Sequence, residues 1–209
     1  MNPRQQELPL KSWGGKRRGA GRKPKGRRKN VPHRPRRPFR RGALHITTRL
    51  RPEVWNLRSH RCFRALRRAF AGGCARFGVH LVHFSVQGNH LHMIVEAPDA
   101  ESLARAMKGL EVRMARALNR VMRRRGPVFA DRYHAHLLRS PREAANAIRY
   151  VLENWRVHKL CAPGVEQHVV DPYCSTAWRD TYPALTMPPE GWLLSVGSRS
   201  TEQRMRPTG

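Results

Sequence analysis

Two histidines separated by one apolar residue, His90-Leu91-His92, stand in the segment Ser85-Val86-Gln87-Gly88-Asn89-His90-Leu91-His92-Met93-Ile94-Val95-Glu96. Alternate side chains of a strand project from one face. In an extended segment the two imidazoles therefore stand side by side, while Leu91, Met93 and Val95 point the other way. Such a pair supplies two thirds of a metal site. Apolar runs on both sides, Val79 to Val86 and Leu91 to Val95, predict two strands, and Gln87-Gly88-Asn89 between them has the Gly and Asn of a tight hairpin loop. A histidine is more often structural than ligating, and the chain carries 11 of them, so the pair gains weight only from what else converges on it.

A helix that carries a second chemical group follows some fifty residues on. Ser140-Pro141-Arg142-Glu143 is a helix start: Ser140 as N-cap, Pro141 at the first helical position, and Glu143 three residues after the cap. On this helix Ala144, Ile148, Val151, Leu152 and Trp155 fall on one face at helical spacing. Glu143, Asn146, Tyr150 and Asn154 fall on the other. Tyr150 is thus turned away from the expected core, and Asn154 follows it by one turn, so both can serve one site. Tyr133 is the nearest other tyrosine, but it lies on a predicted strand and has no potential ligand four residues on.

With the histidine pair, the outward tyrosine and the amide one turn later, residues from about Ala43 to Trp178 resemble the single-tyrosine HUH transposases, in particular the REP-associated tyrosine transposases. His90-Leu91-His92 stands at the family's histidine-hydrophobe-histidine strand. Arg132-Tyr133-His134-Ala135-His136-Leu137-Leu138-Arg139 is similar to its last strand, and Asp171-Pro172-Tyr173-Cys174-Ser175-Thr176-Ala177-Trp178 to the segment after its catalytic helix. One departure is that many members follow the helical amide with proline, where this chain has Trp155. The resemblance implies Tyr150 as nucleophile and His90, His92 and Asn154 as ligands of a divalent metal, Mg or Mn. It also implies DNA strand cleavage and rejoining on single-stranded or hairpin DNA, through a 5′-phosphotyrosine and without ATP. By ligand type alone, two imidazoles suit Zn, Mn or Ni better than Mg. Arg132 is expected to clamp phosphate and His136 to lie near the site.

The elements needed to position these groups follow one another in a simple order. Ala43 to Leu50 is β-branched and alternating, a first strand. A basic helix is expected from near Ser59 to Phe77, with Phe63, Leu66, Phe70 and Cys74 on one face. After the hairpin, Asp99 caps a long helix to about Arg125 with Leu103, Met107, Leu110, Met114, Leu118 and Val121 as its stripe. Gly126-Pro127 stops that helix, and a last strand covers about Val128 to Leu138. The expected class is α+β, a ferredoxin-like βαββαβ antiparallel sheet with two helices on one face. The tyrosine helix is then free to cover the other face, where the two histidines point.

Composition points to the partner. Lys and Arg number 42 against 14 Asp and Glu, a net charge of +28 over 209 residues. That excess far exceeds what solubility requires and calls for a polyanion. Residues 1–42 hold almost nothing apolar and are expected to be a disordered basic arm. Within it, Gly14 to Pro24 resembles an AT-hook, with Arg18, Arg22 and Lys23 as DNA contacts; a non-specific charged run is the alternative. Residues 43–178 form the expected catalytic domain, and 179–209 an irregular tail. No apolar stretch is long enough to span a membrane and no signal-peptide pattern opens the chain, so a cytoplasmic, nucleoid-associated protein is expected, as monomer or homodimer. Cys62, Cys74, Cys161 and Cys174 lie too far apart for a zinc knuckle. Two other readings use the same residues. One is a domesticated relative that nicks DNA without moving. The other is a non-catalytic nucleic-acid-binding module, against which the absence of an RNP-like aromatic pattern argues.

Overall fold

The computed structural model describes residues 37–71, 78–157, 170–178 and 185–200, all within one compact unit, Arg36–Gly209. The basic arm, with Arg18, Arg22 and Lys23, lies outside the described residues. The elements are β1 (Arg40–Arg49), α1 (His60–Ala71), β2 (His80–Val86), β3 (His90–Asp99), α2 (Ala100–Val121), β4 (His134–Leu138) and α3 (Pro141–Val157), followed by a 3₁₀ turn at Ser175–Trp178. The sheet is antiparallel in the order β2-β3-β1-β4, the ferredoxin-like arrangement anticipated from the sequence.

Strand alternation divides the side chains between two layers. Leu44 and Ile46 of β1, Leu91, Met93, Val95 and Ala97 of β3, and Phe84 and Val86 of β2 join the core under α1 and α2. The helices meet them with Phe63, Leu66 and Phe70 from α1 and with Leu103, Met107, Leu110, Met114 and Leu118 from α2. Tyr133 is buried in this same core. It lies on the side of the sheet away from the histidines.

The opposite face carries a second, smaller core. Ala43, Val82, Ile94 and Leu138 of the sheet meet Ala144 and Val151 of α3 and Leu194 near the C-terminus. Leu194 belongs to a helical segment at 192–200 whose centre, Leu193–Gly197, is π-helical. Within the tail expected to be irregular, residues 192–200 are helical. The Glu96 carboxylate accepts the backbone N–H of Glu190 at 2.7 Å and of Gly191 at 3.0 Å, meeting donors just ahead of this segment. A Cβ on Gly191 would stand 2.7 Å from Glu96 Oε1, so glycine permits the approach. The segment is short, and the carboxylate that anchors it lies 95 residues upstream, so no local periodicity announces it.

Two further boundaries differ from expectation. Helix α2 ends at Val121, short of Arg125, because Arg123 takes a left-handed φ of 51° and the Arg124 N–H turns back to Asn119 O at 2.9 Å, closing the helix end. Strand β4 begins at His134, short of the expected Val128. Phe129 makes only an isolated bridge to Leu50, and the Arg132 N–H is taken by the Asp131 side chain at 2.7 Å. The two expected caps are present: Asp99 Oδ1 accepts from Ser102 N at 2.7 Å, and Ser140 Oγ accepts from Glu143 N at 3.2 Å.

Candidate active site

His92 is the centre of the second face. It is 4% exposed, and the register sets it in a row across the sheet, Ser85 to His92 to Thr47 to His134. Thr47 Oγ1 lies 3.2 Å from His92 Nδ1, and His45 Nε2 lies 3.2 Å from the same nitrogen. Holding Nδ1 in this way turns the ring so that Nε2 is the nitrogen that would ligate, the support a metal-binding histidine usually receives. Burial, and then the neighbouring His136 and His134, lower the pKa of His45, so its imidazole is neutral near pH 7. Sequence reasoning missed both His45 and Thr47. Their alternation on β1 is visible in the chain, but their meeting with His92 depends on pairing across 47 and 45 residues.

His90 shares the face as the strand spacing predicts. Its ring centroid is 4.9 Å from that of His92 and nearly perpendicular to it. Two imidazoles bound to one ion through bonds of about 2.1 Å hold their centroids roughly 5 Å apart, so the pair fits a shared cation. His90 Nδ1 lies 2.9 Å from Asn89 Oδ1, held from the hairpin in the same manner. The hairpin itself does not use a positive φ at Gly88 or Asn89. It is held from outside, with Leu57 N donating to Gly88 O at 2.9 Å and Leu50 N to Asn89 O at 2.8 Å.

Helix α3 lays Tyr150 across this surface. The ring centroid of Tyr150 is 5.1 Å from His92 and 5.8 Å from His45, edge to face in both cases, while the residue remains 45% exposed. A phenol in contact with a buried imidazole and still open to solvent is accessible to a large substrate. Asn154 departs from the expectation that it faces away from the core. It is 1% exposed, and both amide atoms are buried without a hydrogen-bond partner. The reason is angular: at about 100° per residue Asn154 lies roughly 60° from Val151 and 40° from Tyr150. A helix pressed on the sheet by Val151 therefore turns Asn154 inward as well. Among the described residues no three His, Cys, Asp or Glu converge on a metal position.

At the rim, His136 is exposed on the site face opposite His45, and its Nε2 lies 2.5 Å from Glu143 Oε1. Glu143 also accepts the Arg139 N–H at 2.7 Å, and these contacts hold its carboxyl below the usual carboxylate range. His136 thus ties β4 to the first turn of the tyrosine helix. Arg132 is exposed just before β4. Arg49, for which the sequence offers no particular signal, is exposed on the site face opposite His90.

Residues 43–154, more than half of the chain, match the family model described as transposase, IS200-like. The chain belongs to the IS200-like transposase family. The match ends at Asn154, so α3 lies within it as far as Asn154, Tyr150 included, and the 170–178 segment lies beyond it. Among solved structures, this transposase is similar to a REP-associated tyrosine transposase bound to a REP hairpin. The identity is 16% and the TM-score 0.54, over 63% of this chain and 76% of that one, a likeness of fold. A candidate transposase from Deinococcus radiodurans R1 is matched at 14% identity and a TM-score of 0.41, over 60% of this chain and 95% of that one. No curated protein matches. Among the described residues no helix is long and apolar enough to cross a membrane.

Proposed function

We propose that this transposase cleaves and rejoins single-stranded or hairpin DNA, with Tyr150 as the nucleophile and a 5′-phosphotyrosine as the intermediate. The observation that carries the reading is the solvent-open Tyr150 ring lying against His92 and His45 on the face that also holds His90. His90 and His92, with the Asn154 amide, would hold a divalent cation, Mg or Mn. Bound there, the cation would supply Lewis-acid polarisation of a phosphate oxygen. The protein that shares this fold is bound to a REP hairpin, and the net charge of +28 suits a nucleic-acid partner.

The chemistry assigned to the chain's own groups is one substitution and its reverse. Tyr150 Oη bonds to phosphorus as the phosphorus–O3′ bond breaks; the phenol gives up its proton and the departing 3′ oxygen takes one. The phosphodiester energy stays in the tyrosyl ester, so a second 3′ hydroxyl can attack it and reform a strand without a nucleotide cofactor. Arg49 and Arg132, both exposed, would take flanking phosphates. His136, engaged by Glu143, is the less available contact. Arg18, Arg22 and Lys23 remain proposed contacts of the basic arm.

The test is a covalent adduct. Full-length protein incubated with labelled single-stranded hairpin DNA and Mn or Mg should yield a denaturant-resistant complex joined through the DNA 5′ phosphate. Tyr150→Phe, which removes one oxygen and little volume, should bind DNA and form none. Adduct formation by Tyr150→Phe, or hydrolysed ends without adduct from the unaltered protein, would refute the nucleophile or the reaction.

A further inference from the structure

Gln87 closes the edge strand on the site face. Phe84 and Val86 point into the core beneath α1 and α2, so Ser85 and Gln87, alternating with them, point to the side of the histidine pair. Ser85 stands opposite His92 in the register, and the Gln87 N–H donates to His90 O at 2.9 Å, placing Gln87 beside His90. The side chain does not reach solvent. Gln87 is 1% exposed, its Nε2 donates to Ser85 Oγ at 2.7 Å, and its Oε1 is buried without a hydrogen-bond partner. The bond to Ser85 fixes the rotation of the amide, so the direction of Oε1 is set in advance of any ligand.

A buried amide oxygen left unmet destabilises the fold, and such groups are usually accounted for by an ion or an ordered water. Here two such amides are Gln87, one residue past the end of β2, and Asn154 on α3, the helix that packs against β2 and against β3, which carries His90 and His92. We propose that Gln87 Oε1 is a further oxygen donor in the coordination sphere of the divalent cation held by His90, His92 and Asn154. This rests on the reading of the histidine pair as metal ligands. The donor set becomes two imidazole nitrogens and two amide oxygens. The added oxygen moves the preference from zinc toward manganese and magnesium. None of the four donors carries charge, so the cation keeps its full positive charge for the oxygens of a phosphate.

Calorimetric titration of the full chain with Mn and with Zn tests the assignment without recourse to activity. Gln87→Met keeps the length of the side chain and removes both polar atoms. It should weaken Mn binding tenfold or more, within the range of about 10–100-fold seen when a supporting group is removed from a metal site, and should change Zn binding far less. Gln87→Glu retains the shape and adds charge, and should tighten Mn binding. It also serves as the folded comparison if the methionine variant unfolds. Unchanged Mn affinity in a folded Gln87→Met, or in Gln87→Glu, would overturn the inference. In that case a His90→Ala variant that still loses Mn would show that the histidine site stands and only Gln87 is misassigned. A full chain that binds neither Mn nor Zn would overturn both readings together.

Discussion

Three contacts converge on a single ring of the site: His92 Nδ1 is approached by the Thr47 hydroxyl and the His45 imidazole, and the ring it belongs to touches Tyr150. A buried imidazole can rotate about its side-chain bonds unless something holds it, and a ligand misplaced by a fraction of an ångström loses affinity. The hydroxyl of Thr47 is separable from its shape. Thr47→Val should leave the strand and the core intact while weakening Mn binding roughly tenfold, read by calorimetry beside an unchanged thermal melt. An affinity equal to that of the unaltered protein would show that His45 alone suffices to orient the ring.

The elements are joined to the site by polar staples that span long stretches of chain. Arg58, just before α1, forms a two-pronged ion pair with Asp171, both distances 2.8 Å, and also donates to Val86 O at 3.1 Å. The Asp171 side chain is fully buried and that of Arg58 is 12% exposed. The Arg58 guanidinium lies 4.2 Å from the centroid of the Tyr173 ring, and Val86 N donates to Tyr173 O at 2.9 Å, extending the sheet edge beside β2. Removing one member strands a buried charge. Arg58→Met should therefore cost about 3–5 kcal/mol in urea denaturation, whereas the double variant Arg58→Met/Asp171→Leu should recover most of the loss. Equal destabilisation by the single and double variants would mean that packing, and not the stranded carboxylate, sets the cost.

At the scale of the whole molecule, charge and fold are divided along the chain. Residues 1–36 carry a single acidic residue, Glu7, among many Lys and Arg, whereas β1 already begins at Arg40. A deletion through residue 42, the boundary expected from composition, would remove the first residues of a strand that pairs on both sides. Deleting residues 1–36 instead should flatten the dependence of DNA affinity on salt, since every phosphate the arm no longer neutralises lowers the slope by about one unit, while preference among hairpin sequences remains. Loss of that preference at an unchanged slope would make the arm a specificity element.

Spacing along the chain was enough to establish that His90 and His92 share a face, that Tyr150 and Asn154 lie one turn apart, and that Asp99 and Ser140 cap their helices. Those relations follow from the two-residue repeat of a strand and the 3.6-residue repeat of a helix, which are properties of local backbone geometry. The order of strands and helices followed from the same periodicities. Only the tertiary structure brought Thr47 and His45 to His92, because register joins β1 to β3 across more than forty residues and a slip by one would turn every side chain to the other face. It also turned Asn154 inward, since the rotation of a helix on a sheet is decided by which of its apolar residues find a surface, and here that surface is Ile94, Val82 and Leu194. The helical segment at 192–200 formed for the same kind of reason. The N–H groups of Glu190 and Gly191 just ahead of it find a carboxylate on β3, a partner that no inspection of the tail alone could supply.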